Sequence, residues 1–347
     1  MNVRKYLALV MGGMAQGLFA SLIMGTIISQ IGSLSGIIVI EQIGRAAQLM
    51  MGPAIGVGVA FKREVKVFTL LAAVAAGALG AGTFAFVEGA ITVERVVVGD
   101  PVGALLATLA AIEVARLVEG NPKTAKFDLL IVPAIIIAIS GAIGFVVTPI
   151  IAEGLAHFGT FVNNITEIHT LPMSILIAVI IGITLTLPII SSAALCIAIG
   201  IGAGTDTEIG TIAAGAALAG CSAQMVGFAV MSFRENKVSG LISQGIGTSM
   251  IQMPNIIKNP LVWVPPIVAS AVAGPISAVV FSLRTTSVGA GMGTSGLVGP
   301  FQTIYAMGMT GFVPMILTFV VLPAVVCFGL SELMRLKGWI KPGDLKL

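Results

Sequence analysis

Long apolar stretches recur from Tyr6 to Met334, separated by short polar loops; they cover residues 6–31, 34–61, 67–87, 101–118, 127–152, 171–203, 208–231, 261–282 and 311–332. Several match or exceed the roughly 20 residues that a helix needs to cross the hydrocarbon core. The pattern predicts an all-α polytopic membrane protein of about 8 to 10 transmembrane helices, the whole chain forming one membrane domain. The first stretch follows a basic start, MNVRKY, and runs on to Gly32. That is longer than the roughly 7 to 15 residues of a signal-peptide core, so a retained first helix is expected.

Stretch 171–203 is too long for one comfortable span and is broken by Pro188, Ser191 and Ser192, residues that suit an interrupted helix. The positive-inside rule decides between one crossing and a fold-back. With a cytoplasmic start and a returning 171–203, only Arg95 and Arg284 of the 18 Lys and Arg lie outside, with Arg45 in the membrane. A single crossing would split the charges almost evenly. The same logic makes the Gly-rich stretch 285–310 a second re-entrant hairpin. It leaves Arg335, Lys337, Lys341 and Lys346, and both termini, on the cytoplasmic side. Non-helical backbone at membrane depth survives only when buried in protein or lining a watery cavity, so two hairpins imply a polar cavity near the midplane.

Composition sharpens this reading. Only 10% of residues are charged and 57% are hydrophobic, against roughly a quarter charged in a soluble domain, which excludes a water-soluble fold. The net charge of +3 resides in short loops and reports orientation; it does not point to nucleic acid. Cys196, Cys221 and Cys327 are isolated in apolar stretches without CxxC or metal-ligand spacing, so packing is their expected role, and no metal, cofactor or catalytic residue is expected.

The charged and polar residues inside the apolar stretches carry the chemistry. EQIGRAAQ places Glu41 and Arg45 on one face of the second helix, where an ionisable residue costs about 2.5–3.5 kcal/mol to insert. The pair is expected to face the protein interior, as a lock between helices or as part of a solute or ion path. Glu113 and Arg116 lie one turn apart at the cytoplasmic end of the fourth helix, with Arg116 able to snorkel to the interface. Stretch 153–172 reads as an amphipathic interfacial linker. Its Asn164, Glu167 and His169 suit hydrogen bonds to sugar-like hydroxyls, or else are solvated surface groups. In the first hairpin, TLPIISSAA supplies Ser191 and Ser192 beside a proline break, which suits a neutral polyol; the alternative is bonding to their own helix. The second, RTTSVGAGMGTSGLVGPFQT, offers Thr286, Ser287, Thr294, Ser295 and Gln302. It lacks the GK[ST] ending of a phosphate-binding loop and is the best single substrate-lining stretch in the chain. The polar, proline-rich segment 240–266 is placed on the cytoplasmic side against the cavity, and Tyr6, Trp263 and Trp339 read as interfacial anchors.

The order GDPVGA, EVARLVEG, NITE, TLPIISSAA and TTSVGAGMGTSGLVGP resembles the membrane IIC subunits of the phosphoenolpyruvate-dependent sugar phosphotransferase system, the perfringolysin-regulator-like branch in particular, over about residues 6–332. The resemblance implies a homodimer in the bacterial inner membrane. Each protomer would carry one sugar by an elevator-like rigid-body motion for phosphorylation by a separate IIB protein, with IIA behind it. It matches Glu167 in NITEIH, which lacks the proline of the family's GITEP-like motif, to a sugar-binding glutamate with His169 beside it. It implies that 1–152 is a scaffold with dimer contacts, 153–172 a linker, 173–332 the transport region and 333–347 a cytoplasmic tail. Two other readings stay open: an ion-coupled secondary transporter with Glu41, Glu113 or Glu167 as coupling charge, and a membrane sensor that regulates gene expression.

Overall fold

The computed structural model describes residues 3–86, 93–119, 127–166, 169–188, 192, 195, 196, 201 and 208–347. The chain divides into two compact units, Met1–Gly154 and Leu155–Leu347. Among the described residues six helices are long and apolar enough to cross a membrane, and three shorter apolar helices accompany them.

In the first unit α1 spans Val3–Ser35 and loosens into a π turn at Phe19–Ile23. It ends where Gly36 takes a left-handed conformation (φ 70°), and the chain turns back into α2, Ile38–Leu49. A break at Met50 separates α2 from α3, Met51–Lys62. The run 34–61, expected as a single span, is therefore two 12-residue helices. Helix α4 covers Val67–Gly80, after which a short antiparallel pair, β1 Phe84–Phe86 and β2 Val93–Val96, replaces the expected continuation to residue 87. Helix α5, Pro101–Val118, starts on two sequence signals: Pro101 in its first turn, and Asp100, whose side chain accepts the Gly103 N–H at 2.6 Å. Helix α6 is 39 residues long, Asp128–Thr166. No helix end falls at residue 152, where a separate linker was expected, because nothing between Pro149 and Thr166 costs more than the about 1 kcal/mol of Gly154.

These helices approach through small residues. A Cβ on Gly77 of α4 would overlap the Gly52 carbonyl oxygen of α3, and one on Gly80 would overlap Ala107 and Gly103 of α5. With lipid as apolar as the side chains, such close backbone packing is what holds membrane helices together. The same rule explains the fate of the Glu41–Arg45 pair. Helix α2 lays Gly44 against Ser29 of α1, and Gln48 donates to Thr26 Oγ1 at 3.3 Å. Arg45, one residue on from Gly44, turns outward. Its side chain meets Glu41 at 2.6 Å yet stays 69% exposed, so the pair does not face the interior as expected.

In the second unit α7 spans Thr170–Thr186 and stops two residues before Pro188, so the long run 171–203 is not one helix. Helix α8, Glu208–Met231, is the axis of the unit: 94% of its membrane window is buried, against 22–56% for the other candidate spans. Its face of Ala213, Ala214, Ala217, Cys221 and Met225 packs on Met173, Ile177, Ile181 and Leu185 of α7. Helix α9, Phe233–Ile242, kinks at Lys237; a π turn, Ser243–Gly247, and the short helix α10, Met253–Lys258, follow. A span over Pro260–Val280 leads to the one-turn α12, Ser287–Ala290, then α13, Val298–Met307, and a final helical stretch over 312–336; the 260–280 span is α11 and the 312–336 stretch α14.

Replacing Gly77 by Val forces the α3–α4 pair apart and is expected to cost about 1–3 kcal/mol. The change reads out as a lower midpoint of thermal unfolding in detergent. Gly141→Ala is the matched control: the nearest atom to its new Cβ is Leu79 Cδ1 at 3.8 Å, so its midpoint stays at or above wild type.

Candidate functional site

The most irregular described backbone of the second unit lies between residues 282 and 297. Ser282 (φ 46°), Gly293 (φ 57°), Gly296 (φ 54°) and Leu297 (φ 59°) all sit in the left-handed region. For a residue with a Cβ this costs on the order of 1–3 kcal/mol and persists only where the surroundings over-determine it. They do so here. The Leu283 carbonyl lies directly on Gly215 of α8, where any side chain would collide with it, and Gly293 packs on Cys221 and Met225 of the same helix. Thr286 caps α12 by accepting the Gly289 N–H at 3.3 Å, and its hydroxyl donates to Gln302 Oε1 of α13 at 2.9 Å. Thr294, 4% exposed, donates to the Gly245 carbonyl in the π turn. Ser192, 3% exposed, donates to the Gly291 carbonyl.

The structure thus joins the two stretches predicted separately as polyol sites, since Ser192 of one bonds the backbone of the other. Leu195, Cys196 and Ile201 share a core with Ala290 on the face of α8. Thr286 and Gln302 pair directly, and Thr294 and Ser295 are both buried beside them in sequence. Ser287 opens α12. Ser191 and Glu167 lie outside the described residues. Asn164, near the end of α6, and His169, the residue before α7, are exposed, and among the described residues neither side chain bonds to the 282–302 hairpin.

Two features escaped the reading of the sequence. The first is Gln224, fully buried at mid-α8. Its Oε1 accepts from Trp263 Nε1 at 2.8 Å and from the Thr186 hydroxyl at 3.2 Å; its amide donates to Ser270 Oγ at 3.1 Å, and Thr186 shares a 2.8 Å bond with Ser249. Trp263 is therefore a hydrogen-bonding partner of the core rather than an interfacial anchor. A lone glutamine inside the run AAGAALAGCSAQM was the available signal. The second is a set of buried hydroxyls with no hydrogen-bond partner among the described residues: Ser222, Ser277, Thr285, Ser295 and Thr318 in the second unit, beside Thr83 and Thr108 in the first. An unpaired buried hydroxyl costs about 1–3 kcal/mol, so several in one unit call for a ligand or water.

One charge cluster of the first unit gathers around Glu113. Glu113 Oε1 accepts from Arg63 at 2.6 Å and from the Tyr6 hydroxyl at 3.2 Å, with Arg116 3.7 Å away. Arg63, 11% exposed, stacks 4.5 Å over the Tyr6 ring, and Arg116 donates to the Arg63 carbonyl. Arg116 and Tyr6 are both tied into this cluster, which joins α1 and α5 to the end of α3. A cavity of about 700 Å³ against α3 and α4, lined by Met50, Phe68, Leu71, Val74 and Ile137, is apolar and does not suit a sugar. Among the described residues no three His, Cys, Asp or Glu side chains form a metal-ligand group.

Glu113→Gln leaves Arg63 without its counter-charge in a partly shielded site and is expected to lower stability by about 1.5 kcal/mol. Arg63→Met on that background is expected to lose little more, giving a non-additive double-mutant cycle in thermal unfolding.

No curated protein and no solved structure matches this chain. Its apolar helices and a match over residues 8–347 to the family described as "Phosphotransferase system, EIIC" agree, and the chain belongs to that family.

Proposed function

We propose that the second unit carries the sugar, and that the 283–303 hairpin supplies its ligands. Family membership makes the chain the membrane component of a sugar phosphotransferase system, with a sugar as substrate and IIA and IIB proteins as partners. The observation that carries the finer reading is the pair of buried hydroxyls Thr285 and Ser295, without partners among the described residues, in a stretch with left-handed backbone seated on α8. Uncharged donors and acceptors of this kind exchange hydrogen bonds with sugar hydroxyls at little desolvation cost. Gln302 and Thr286, already bonded to each other, add an amide and a hydroxyl on the same hairpin. Ser191, Ser192, Ser287 and Thr294 extend this set, Ser192 and Thr294 by fastening the hairpin. Asn164, Glu167 and His169 complete it on the strength of the NITEIH motif.

In this reading the chain does no bond-making itself. It presents a sugar hydroxyl on the cytoplasmic side; that oxygen attacks the phosphoryl group of phosphorylated IIB, the bond from IIB to phosphorus breaks, and the hydroxyl proton leaves to solvent. The division into two compact units supports a rigid-body, elevator-like motion of the sugar-bearing part. A homodimer held by the 1–152 group rests on the motif resemblance. The clustering of Arg335, Lys337, Lys341 and Lys346 at one end supports a cytoplasmic position for both termini. Ion coupling through Glu113 is disfavoured, because its carboxylate is committed to Arg63 and Arg116.

The test is uptake of a panel of labelled sugars into vesicles holding this protein, with and without phosphoenolpyruvate, the general phosphotransfer proteins and IIA/IIB. Sugar phosphate inside is expected; accumulation of free sugar instead would favour a secondary transporter, and no accumulation a sensor. For the transported sugar, Thr285→Val and Ser295→Ala are each expected to weaken binding about tenfold while leaving the unfolding midpoint unchanged or raised. Thr303→Ala, whose hydroxyl donates to its own helix at Gly299, is expected to leave affinity alone. Equal losses at all three positions would refute the assignment.

A further inference from the structure

A ladder of side-chain amides on the 232–259 segment ends on the main chain of residues 339–347. The Leu345 carbonyl accepts from Asn236 Nδ2 at 2.8 Å and from Gln252 Nε2 at 3.0 Å, which uses both of its lone pairs. The Lys346 carbonyl accepts from Asn255 Nδ2 at 2.9 Å. The Leu347 N–H donates back to Asn236 Oδ1 at 3.0 Å. Asn236 thus makes with 345–347 the pair of bonds that a residue of a neighbouring β-strand would make. Leu345, the last residue of the 342–345 turn, is fully buried, while Lys346 and Leu347 are exposed. Asn259 holds the other end through the Trp339 carbonyl at 2.9 Å and Asp344 Oδ2 at 2.8 Å.

The ladder also runs inward. Gln252 Nε2 donates to Gln244 Oε1 at 2.8 Å, and Gln244 Nε2 donates to Ser232 Oγ at 2.6 Å and to the Gly240 carbonyl at 3.0 Å. The next carbonyl, Gly245, is the one that receives the Thr294 hydroxyl of the 282–302 hairpin. Asn236, Gln244 and Gln252 each have a partner on both the oxygen and the nitrogen, and Asn255 uses its nitrogen twice. Beside Asn236, Lys237 holds φ 52° and ψ −145°, backbone territory that suits glycine, and Glu235 is clamped at 3.0 Å by Arg335. A strained residue between two such anchors stays in place only while both hold.

We propose that Asn236, Gln252 and Asn255 form a receptor for a peptide main chain, filled in cis by residues 345–347 as they leave the 342–345 turn, and that this docking fixes the hairpin through Gln244 and Gly245. The ligand class is a short segment leaving a turn with one buried aliphatic side chain, read by its backbone. The inference goes beyond the transport reading and holds whether or not the hairpin binds a sugar.

Hydrogen–deuterium exchange on the full-length protein in lipid nanodiscs tests it. Leu347→Pro removes the N–H that Asn236 accepts while altering only an exposed side chain, and Leu345→Asp puts a charge in the buried pocket. Both are expected to speed exchange about tenfold in 339–347, in 243–256 and in 283–297. Leu347→Ala, which keeps the N–H, is expected to exchange as wild type. Opening of 339–347 with the hairpin unchanged would refute the coupling. A strap that stays protected in both variants would refute the receptor, and Leu347→Ala behaving like Leu347→Pro would refute recognition through the main chain.

Discussion

A backbone that leaves the helix inside a membrane must find every hydrogen-bond partner within the protein, because lipid supplies none. The second unit is organised by that requirement. More than half of helix α8 is Ala, Gly, Ser, Thr or Cys, and it is nearly all buried. Its bare surface lets the Leu283 carbonyl and the turn at Gly293 lie directly against it. The carbonyls of Gly291 and Gly245 are then met by hydroxyls, Ser192 and Thr294, rather than by water. Larger side chains on α8 would hold the hairpin off the helix and leave those groups unpaired.

Polar side chains do the work between helices that hydrophobic burial does in water, since a lipid-facing Leu gains little by moving to a protein interior. Gln224 binds α8 to Thr186 of α7 and to Trp263 and Ser270 of α11. The amides of Gln244, Gln252 and Asn255 do the same for the segment after α8 and for residues 345–347. Fully satisfied networks of this kind are rigid, and the unsatisfied hydroxyls of Thr285 and Ser295 stand out against them.

In the first unit charge plays the same structural part. Arg63, Arg116, Glu113 and Tyr6 close on one another where α1, α3 and α5 meet. Close glycine contacts along α3, α4 and α5 bring the backbones near enough for these side chains to reach. Glu41 and Arg45, by contrast, lie on a helix whose small-residue face already points inward at Gly44, so the pair is left outside.

Membrane residence, the helical class and spans such as 101–118, 208–231 and 261–282 were determined by the amino-acid sequence alone, because the length and apolarity of a run are local quantities that the bilayer reads directly. The break before Pro188 was equally local, set by backbone chemistry. The hairpin residues Thr286, Thr294, Ser295 and Gln302 stood out for the same reason, as polar groups in an otherwise apolar run. What only the tertiary structure decided was partnership. Ser192 meets Gly291 across 99 residues, Asn236 meets Leu345 across 109, and Tyr6 meets Glu113 across 107. A hydrogen bond requires atoms within about 3 Å, and no spacing along the chain reports which distant segments the packing of small residues will bring that close.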